Sequence, residues 1–519
     1  MLTTIKARAA RSFPSLPRRA ISYSSPRMTA IVTNLIGSTT QAPAATFDVV
    51  HPGTGQRVHA VQRSTASDLF AAVDATAAAL PGWRDTPLRE RQAVFSRAAA
   101  LLKDADSGWA QRLISANVSE TSCGDWWATE QVGAVPHFLE ALVNAAPDAL
   151  KEDSVDFHGS TYKISREPYG VCLAIAAWNA VALLTARAVV TPLLAGNTVV
   201  LKSSEQVPRS QALWGELLRA AGLPAGALNV VHVATEDAGA LTPALVADPR
   251  VRHVNFTGST RVGAIIASLA GQHLKPTLME LGGKAPVLIL PDADIDVAAN
   301  HIIFGAFMNA GQVCMSSERV LVPESKYDAL VAALQKAWEG VRGPPRALFT
   351  RASAARVRSL VQDATEKGAA DILASARAEG EGAHVHPLIL GPVDPGMRLH
   401  AEESFGPVCV LVRIPDASED AMIDEMVRIA NASEYGLSAS VWGRDLVRAE
   451  AVARRIEAGA VHINSPTPAD APLVPHGGWK SSGWGRFNGA EGLRGFTQTR
   501  SIEVPGKAAE AMPLQVFGL

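Results

Sequence analysis

The chain has 519 residues, with 48 Lys+Arg against 50 Asp+Glu, 47% hydrophobic and 19% charged side chains. That length and apolar fraction support a large buried core divided among several units and exclude wholesale disorder, while the balanced charge gives no global pull toward nucleic acid or an anionic membrane. Four cysteines (Cys123, Cys172, Cys314, Cys409) with no CxxC pair and no ligand spacing exclude a disulfide scaffold or a zinc module, so no metal is expected.

Residues 1–44 read as an N-terminal extension. No acidic residue precedes Asp48, whereas Lys6, Arg8, Arg11, Arg18, Arg19 and Arg27 stand among several serines. This is the composition of a mitochondrial presequence. Pro14 and Pro17 stop any helix early, and Met28 offers an alternative start. The expected location is the cytoplasm, or the mitochondrion if the extension is a targeting segment. Residues 67–116 are Ala-rich with helical spacing, and 150–168 alternate polar and apolar around His158-Gly159, which predicts a hairpin. VCLAIAAW, a helix to Leu194, NTVVLK, a helix from Ser210 to Ala221, LNVVHV, a further helix and VRHVNF follow in turn. Short Val/Ile-rich strands separated by amphipathic helices predict βαβ units in a parallel sheet. A second such series runs from about Glu280 to Trp442, and Phe496 to Val504 reads as a lone strand in need of a partner. No stretch reaches the roughly 18–20 apolar residues that span a bilayer.

Several segments could carry chemistry. Thr257-Gly258-Ser259-Thr260-Arg261-Val262-Gly263 links a strand to an apolar helix and would present backbone N–H groups to a phosphate, although it is not the G-x-G-x-x-G fingerprint. Lys202 and Glu205 leave a strand's C-terminal edge, where a ribose could be held or where a solvated strand end would serve equally well. Cys314 follows Gly311-Gln312, which break an apolar helix; a thiol at such a break can face a cleft. Glu280 stands before Gly282-Gly283, as a surface acid or, in a cleft with a thiol, as a general base.

Read in order, Trp178-Asn179, Lys202-Ser203-Ser204-Glu205, Phe256-Thr257-Gly258-Ser259-Thr260, Glu280-Leu281-Gly282-Gly283-Lys284, Gly311-Gln312-Val313-Cys314, Glu403-Ser404-Phe405-Gly406-Pro407 and Pro475-His476-Gly477-Gly478 resemble the NAD(P)-dependent aldehyde dehydrogenase superfamily from about residue 45 to 505. The resemblance implies that Cys314 is the nucleophile, Asn179 part of an oxyanion hole and Glu280 the base that hydrolyses a Cys314 thioester. It implies a cofactor site of Trp178, Lys202, Glu205, Gly258, Ser259, Thr260, Gly263, Leu281, Glu403 and Phe405. Glu205 favours NAD, with NADP possible, because a carboxylate repels a 2′-phosphate.

Departures are informative too. Ala180 follows the catalytic Asn where the family usually has Phe, and His476 replaces the Phe of Pro-Phe-Gly-Gly. Ala180, Val313, Met315 and His476 are therefore expected to line the substrate pocket. A Lys and a Glu that many members use to relay protons are here Ala188 and Phe487. Arg261-Val262, Ile265-Ile266-Ala267, His273-Leu274-Lys275-Pro276 and Phe307-Met308-Asn309 look most similar to the salicylaldehyde, benzaldehyde and vanillin dehydrogenase branch.

The implied fold class is α/β: a Rossmann-like NAD-binding domain (45–149 and 169–281), an α/β catalytic domain (282–494) and a small β oligomerisation arm (150–168 and 495–506). The arm is expected to pair across a dimer interface in a homodimer or homotetramer. The implied activity is oxidation of an aromatic or bulky aldehyde to the acid, with an aliphatic or semialdehyde substrate as the alternative. Glu280 disfavours a CoA-acylating enzyme, and the intact Asn179, Glu280 and Cys314 disfavour a silent scaffold.

Overall fold

A computed structural model describes residues 31–38, 42–342, 346–373 and 382–507. The proposed targeting segment, residues 1–27, lies outside the described residues. An antiparallel strand pair, Thr46–Val50 and Arg57–Gln62, precedes helices Ala66–Asp85, Leu88–Lys103, Trp109–Thr121 and Asp125–Ala149. Thr65 opens the first of them with a capping box, its side chain accepting from the Asp68 N–H while Asp68 accepts from the Thr65 N–H.

Among the described residues, a six-stranded sheet has the order Gly483–Trp484, Thr277–Glu280, Val251–Thr257, Val171–Ile175, Thr198–Ser203 and Leu228–His232. It is parallel except for Gly483–Trp484. Helices Val181–Leu194, Pro208–Ala220 and Thr260–Gln272 cross between its strands. Every residue of strands Val171–Ile175 and Thr198–Ser203 is buried, as expected of a parallel sheet covered on both faces. A second sheet orders Ala370–Asp371, Leu388–Gly391, Val408–Ile414, Ser317–Pro323, Ala285–Ile289, Ser438–Trp442 and Ala460–Ile463, parallel apart from its first member.

The expected hairpin forms as strands Asp153–Phe157 and Ser160–Pro168, and strand Thr497–Pro505 pairs along the whole length of the latter. The C-terminal strand thus finds its partner within its own chain and not across a subunit interface. Two expected boundaries also shift. Val32 bridges to Val61, and Leu35 exchanges both backbone hydrogen bonds with Val230. Residues 32–36 consequently belong to the folded body and not to an extension reaching residue 44. Residues 483–496 return to the first sheet: Gly483–Trp484 joins its edge, and Phe487, Leu493 and Phe496 enter the core around Trp214 and Phe138. The stretch expected to close the catalytic domain therefore packs on the cofactor side.

Candidate active site

The segment bearing Cys314 owes its course to an early helix end. Helix Ile295–Phe307 stops four residues before Gly311, and Asn309, Ala310 and Gly311 all adopt positive φ (49°, 55° and 69°). Left-handed conformations of non-glycine residues are costly and persist only where surrounding contacts hold them. Here the Asn309 amide donates to the Asn179 carbonyl at 3.1 Å, and the Gln312 side chain accepts from the Phe349 N–H at 2.8 Å. The chain can then turn Cys314 back over Gly283, where a Cβ would lie 2.3 Å from the Cys314 carbonyl oxygen.

Cys314 Sγ lies 3.2 Å from Glu280 Oε1, so the expected nucleophile and the expected base meet although 34 residues separate them. Glu280 ends strand Thr277–Glu280 and is buried. Burial alone would raise its pKa, but the nearby His476, then Arg187 and the Cys314 thiol, outweigh that effect and hold it below the ordinary value. Burial, then the negative charge of Glu280, pushes the Cys314 thiol well above its ordinary range. In the resting pair the proton therefore sits on sulfur and the carboxylate is ionised.

The Asn179 side-chain amide donates one hydrogen to the Gln312 carbonyl at 3.0 Å. A primary amide has two N–H donors, so the second is left for a ligand oxygen. The backbone N–H of Cys314 has no hydrogen-bond partner among the described residues. Trp127 Nε1 fixes the Asn179 carbonyl at 2.9 Å. Around the thiol, Cys123, Trp127, Val313, Met315 and Leu437 form an apolar cluster against which Ala180 and Met308 pack. The expected pocket residues Ala180, Val313 and Met315 thus converge on Cys314. His476 is different: it is buried, with Nε2 3.6 Å from Glu280 Oε1 and Nδ1 4.0 Å from Asp470 Oδ1. Its ring lies between Glu280 and Asp470, which recasts an expected pocket residue as a neighbour of Glu280.

The cofactor candidates sit at the C-terminal edge of the first sheet, where open α/β sheets bind ligands. Lys202 is buried, its pKa lowered by burial against the counteracting charge of Glu205, and no ion pair or hydrogen bond of its ammonium occurs among the described residues. Gly258 N–H donates to the Glu280 carbonyl at 3.1 Å, and Ser259 caps helix Thr260–Gln272 by accepting from the Val262 N–H. Leu281 closes over Gly263, at which a Cβ would meet its methyl at 2.4 Å. A partnerless cation beside a carboxylate, close to a capped helix N-terminus, fits a dinucleotide's ribose and pyrophosphate.

On the far side, Glu403 accepts from the Gly283 N–H at 2.9 Å. Burial, then Glu318, pushes its pKa up to about 8. Phe405 has a positive φ of 47° and meets Trp178 edge-on, with ring centroids 5.8 Å apart. Trp178 also stacks flat on Phe349 at 3.5 Å, a partner the sequence reading missed. Glu318 was missed as well. It accepts from Lys284 Nζ (2.5 Å), Ser404 N–H (2.9 Å), Ser404 Oγ (3.0 Å) and Phe405 N–H (3.3 Å), and so holds the loop that carries Glu403 and Phe405. In sequence it is only an acid at the start of a strand, with nothing to mark it.

The aldehyde dehydrogenase family model matches residues 39–502. The chain belongs to the aldehyde dehydrogenase family. It is 42% identical over 470 residues to a vanillin dehydrogenase of Pseudomonas sp. (strain HR199 / DSM 7063), covering 88% of this chain and 94% of that protein. The crystal structure of a salicylaldehyde dehydrogenase from Pseudomonas putida G7 complexed with salicylaldehyde superposes with a TM-score of 0.88 at 33% identity, covering 94% of this chain and all of that one. An NAD-dependent aldehyde dehydrogenase from Sinorhizobium meliloti gives 0.86 at 32% identity over 94% and 97% of the two chains. This dehydrogenase is accordingly an enzyme that oxidises aldehydes with a nicotinamide cofactor. Among the described residues no helix is long and apolar enough to cross a membrane.

Proposed function

We propose that this dehydrogenase converts aromatic aldehydes to carboxylic acids with NAD. The observation that carries the substrate class is the apolar cluster of Trp127, Val313, Met315 and Leu437 around Cys314, with the small Ala180 leaving room for a flat ring. The vanillin and salicylaldehyde dehydrogenases to which the chain is similar agree with it.

Cys314 surrenders its proton to Glu280 and attacks the aldehyde carbon, giving a thiohemiacetal. The developing oxyanion accepts from the spare Asn179 N–H and from the Cys314 backbone N–H, donors each contributing about 2.7–4 kcal/mol in comparable sites. When bound, the nicotinamide supplies a hydride acceptor, and a thioester remains on Cys314. Glu280 releases that first proton to solvent before it draws a second from water, whose oxygen attacks the thioester carbon; the C–S bond breaks, leaving its electron pair on Cys314 sulfur, and the acid leaves. Lys202 and Glu205 would hold the adenosine ribose, the helix N-terminus at Thr260 the pyrophosphate, and Glu403 with Phe405 the nicotinamide ribose and ring.

NADH formation by purified protein tests this reading across benzaldehyde, salicylaldehyde, vanillin, a medium-chain alkanal and a semialdehyde. The aromatic set is expected to exceed the alkanal in kcat/KM by roughly tenfold or more, the range that apolar pocket fit can supply. An alkanal preference would discard the pocket argument. The same assay with NADP in place of NAD checks the preference expected from Glu205.

Glu403 predicts a pH dependence of cofactor binding. Its pKa of about 8 keeps it protonated near neutrality, and ionisation makes both its oxygens charged acceptors for the two ribose hydroxyls. NAD affinity, followed by quenching of tryptophan fluorescence, should therefore rise roughly tenfold from pH 7 to 9. Glu403→Gln should flatten that rise.

The chain further assembles into a homodimer or homotetramer through the three-stranded arm. Its edge strand Asp153–Phe157 is fully exposed and carries Val155 and Phe157, with Ile502 and Val504 also exposed on the same sheet. An open edge with apolar side chains invites pairing with another copy. The relatives named above are bacterial proteins, which favours the cytoplasm over a mitochondrial destination.

A further inference from the structure

The polar groups behind Glu280 are not where the family's usual relay would place them. Ala188 and Phe487 occupy the two relay positions, and both are fully buried among apolar side chains. One residue away from each, however, stands a polar group. Arg187 Nε donates to Asn488 Oδ1 at 3.0 Å, and both residues engage Asp470: Arg187 in an ion pair, Asn488 through Nδ2 to Asp470 Oδ1 at 2.9 Å. Asp470 is thus fixed from two sides. Burial would raise its pKa, but Arg187 and then His476 hold it below the carboxylate norm, so it is an anion.

His476 bridges this anchored carboxylate to the base. Its backbone is pinned by reciprocal hydrogen bonds with Phe487, 2.9 Å from the His476 N–H and 2.8 Å to its carbonyl. Nδ1 faces Asp470 and Nε2 faces Glu280. His476 Nε2 and Glu280 Oε2 are both buried polar atoms without a hydrogen-bond partner. Leaving such atoms unsatisfied costs on the order of 1–3 kcal/mol each, a cost that a proton shared between the imidazole and the carboxylate, whose Nε2 and Oε1 lie 3.6 Å apart, would reduce. Nδ1 lies on the Asp470 side and Nε2 on the Glu280 side, so a neutral imidazole can take a proton from protonated Glu280, and the imidazolium that results lies between two carboxylates, the state in which His476 holds both below their ordinary values.

We propose that His476, oriented by Asp470, takes from Glu280 the proton abstracted from the hydrolytic water. The inference rests on the proposed thioester chemistry. In the deacylation step a water O–H bond breaks, its oxygen bonds to the thioester carbon and its proton goes to Glu280. The C–S bond then breaks, leaving the electron pair on Cys314 sulfur. Glu280 passes the proton to His476 Nε2, the imidazolium is stabilised by the Asp470 anion, and Glu280 is restored as a carboxylate. Arg187 and Asn488 are positioning residues that keep Asp470 in place.

The test is stopped-flow NADH formation with NAD and benzaldehyde on the full-length wild type, His476→Phe, Asp470→Asn and His476→Ala. His476→Phe installs the family's usual ring without its usual relay. It is expected to keep a burst of NADH close to one per site while steady turnover falls roughly tenfold to a hundredfold. Asp470→Asn should give the same pattern more weakly, with KM for benzaldehyde unchanged, and it remains informative if the histidine variants fail to fold. Added imidazole should restore turnover of His476→Ala, which a purely structural role would not allow. Unchanged turnover, a burst that slows in step with turnover, or no rescue by imidazole would overturn the relay. Absence of wild-type turnover sinks the parent reading and the relay together; intact wild-type turnover with indifferent variants sinks the relay alone.

Discussion

Cys314→Ala is expected to lower aldehyde-dependent NADH formation by about 10⁴-fold or more, the scale on which loss of a covalent nucleophile is felt. The fold should survive, because among the described residues the one polar contact of Sγ is with Glu280, and the residue lies at the margin of its apolar cluster. Removing one sulfur there should cost about 1 kcal/mol, within the ordinary range for point variants. The unfolding midpoint should therefore stay within a few degrees of wild type, and NAD affinity should be unchanged. A thiol reagent adds a second reading. Cys123, Cys172 and Cys409 are buried, out of reach of a reagent in solution. Labelling should concentrate at Cys314, the one cysteine with partial exposure, and disappear in the variant. If Cys314→Ala turned over at more than a hundredth of the wild-type rate, covalent catalysis at this residue would be untenable.

What could be read before folding follows from how each interaction is encoded. The strands Val171–Ile175, Thr198–Ser203 and Leu228–His232 were legible because a buried parallel strand must be a short, continuous apolar run. The trio Cys314, Glu280 and Asn179 was legible through motif order. The residues that tune them were not. Glu318 reads as an unremarkable strand acid, yet it ties the Ser404-Phe405 backbone to Lys284. Asp470 lies in a segment without periodicity, and nothing local aims it at His476. Phe349 stacks on Trp178 while its backbone N–H is held by the distant Gln312 side chain. Each of these pairs joins distant parts of the chain through one side chain, which leaves no hydrophobic period or turn signature. Composition likewise misplaced the start of the folded body, since Val32, Asn34 and Leu35 carry no acid and so resemble the basic segment before them.

Glu318→Ala should be the most destabilising single change around the cofactor loop. Lys284 is fully buried, and its ammonium has Glu318 Oε2 at 2.5 Å as its ion-pair partner. Removing one member of a buried pair leaves an uncompensated charge, at a cost of roughly 3–5 kcal/mol. The same truncation frees the N–H groups of Ser404 and Phe405, each of which loses its acceptor. Thermal unfolding should therefore begin on the order of 5–10 °C lower, and KM for NAD should rise more than KM for the aldehyde, because Glu403 and Phe405 ride on the released loop. Glu318→Gln separates the two contributions: it can keep accepting from the loop N–H groups while withdrawing the charge from Lys284, so it should retain cofactor affinity better than stability. Replacing both partners by Lys284→Met with Glu318→Leu should recover stability, since no buried charge remains, but not KM for NAD, since the loop still lacks its acceptor. If the double variant regained both, the ion pair alone would account for the site, and the bonds from Glu318 to the loop would contribute nothing to holding the cofactor.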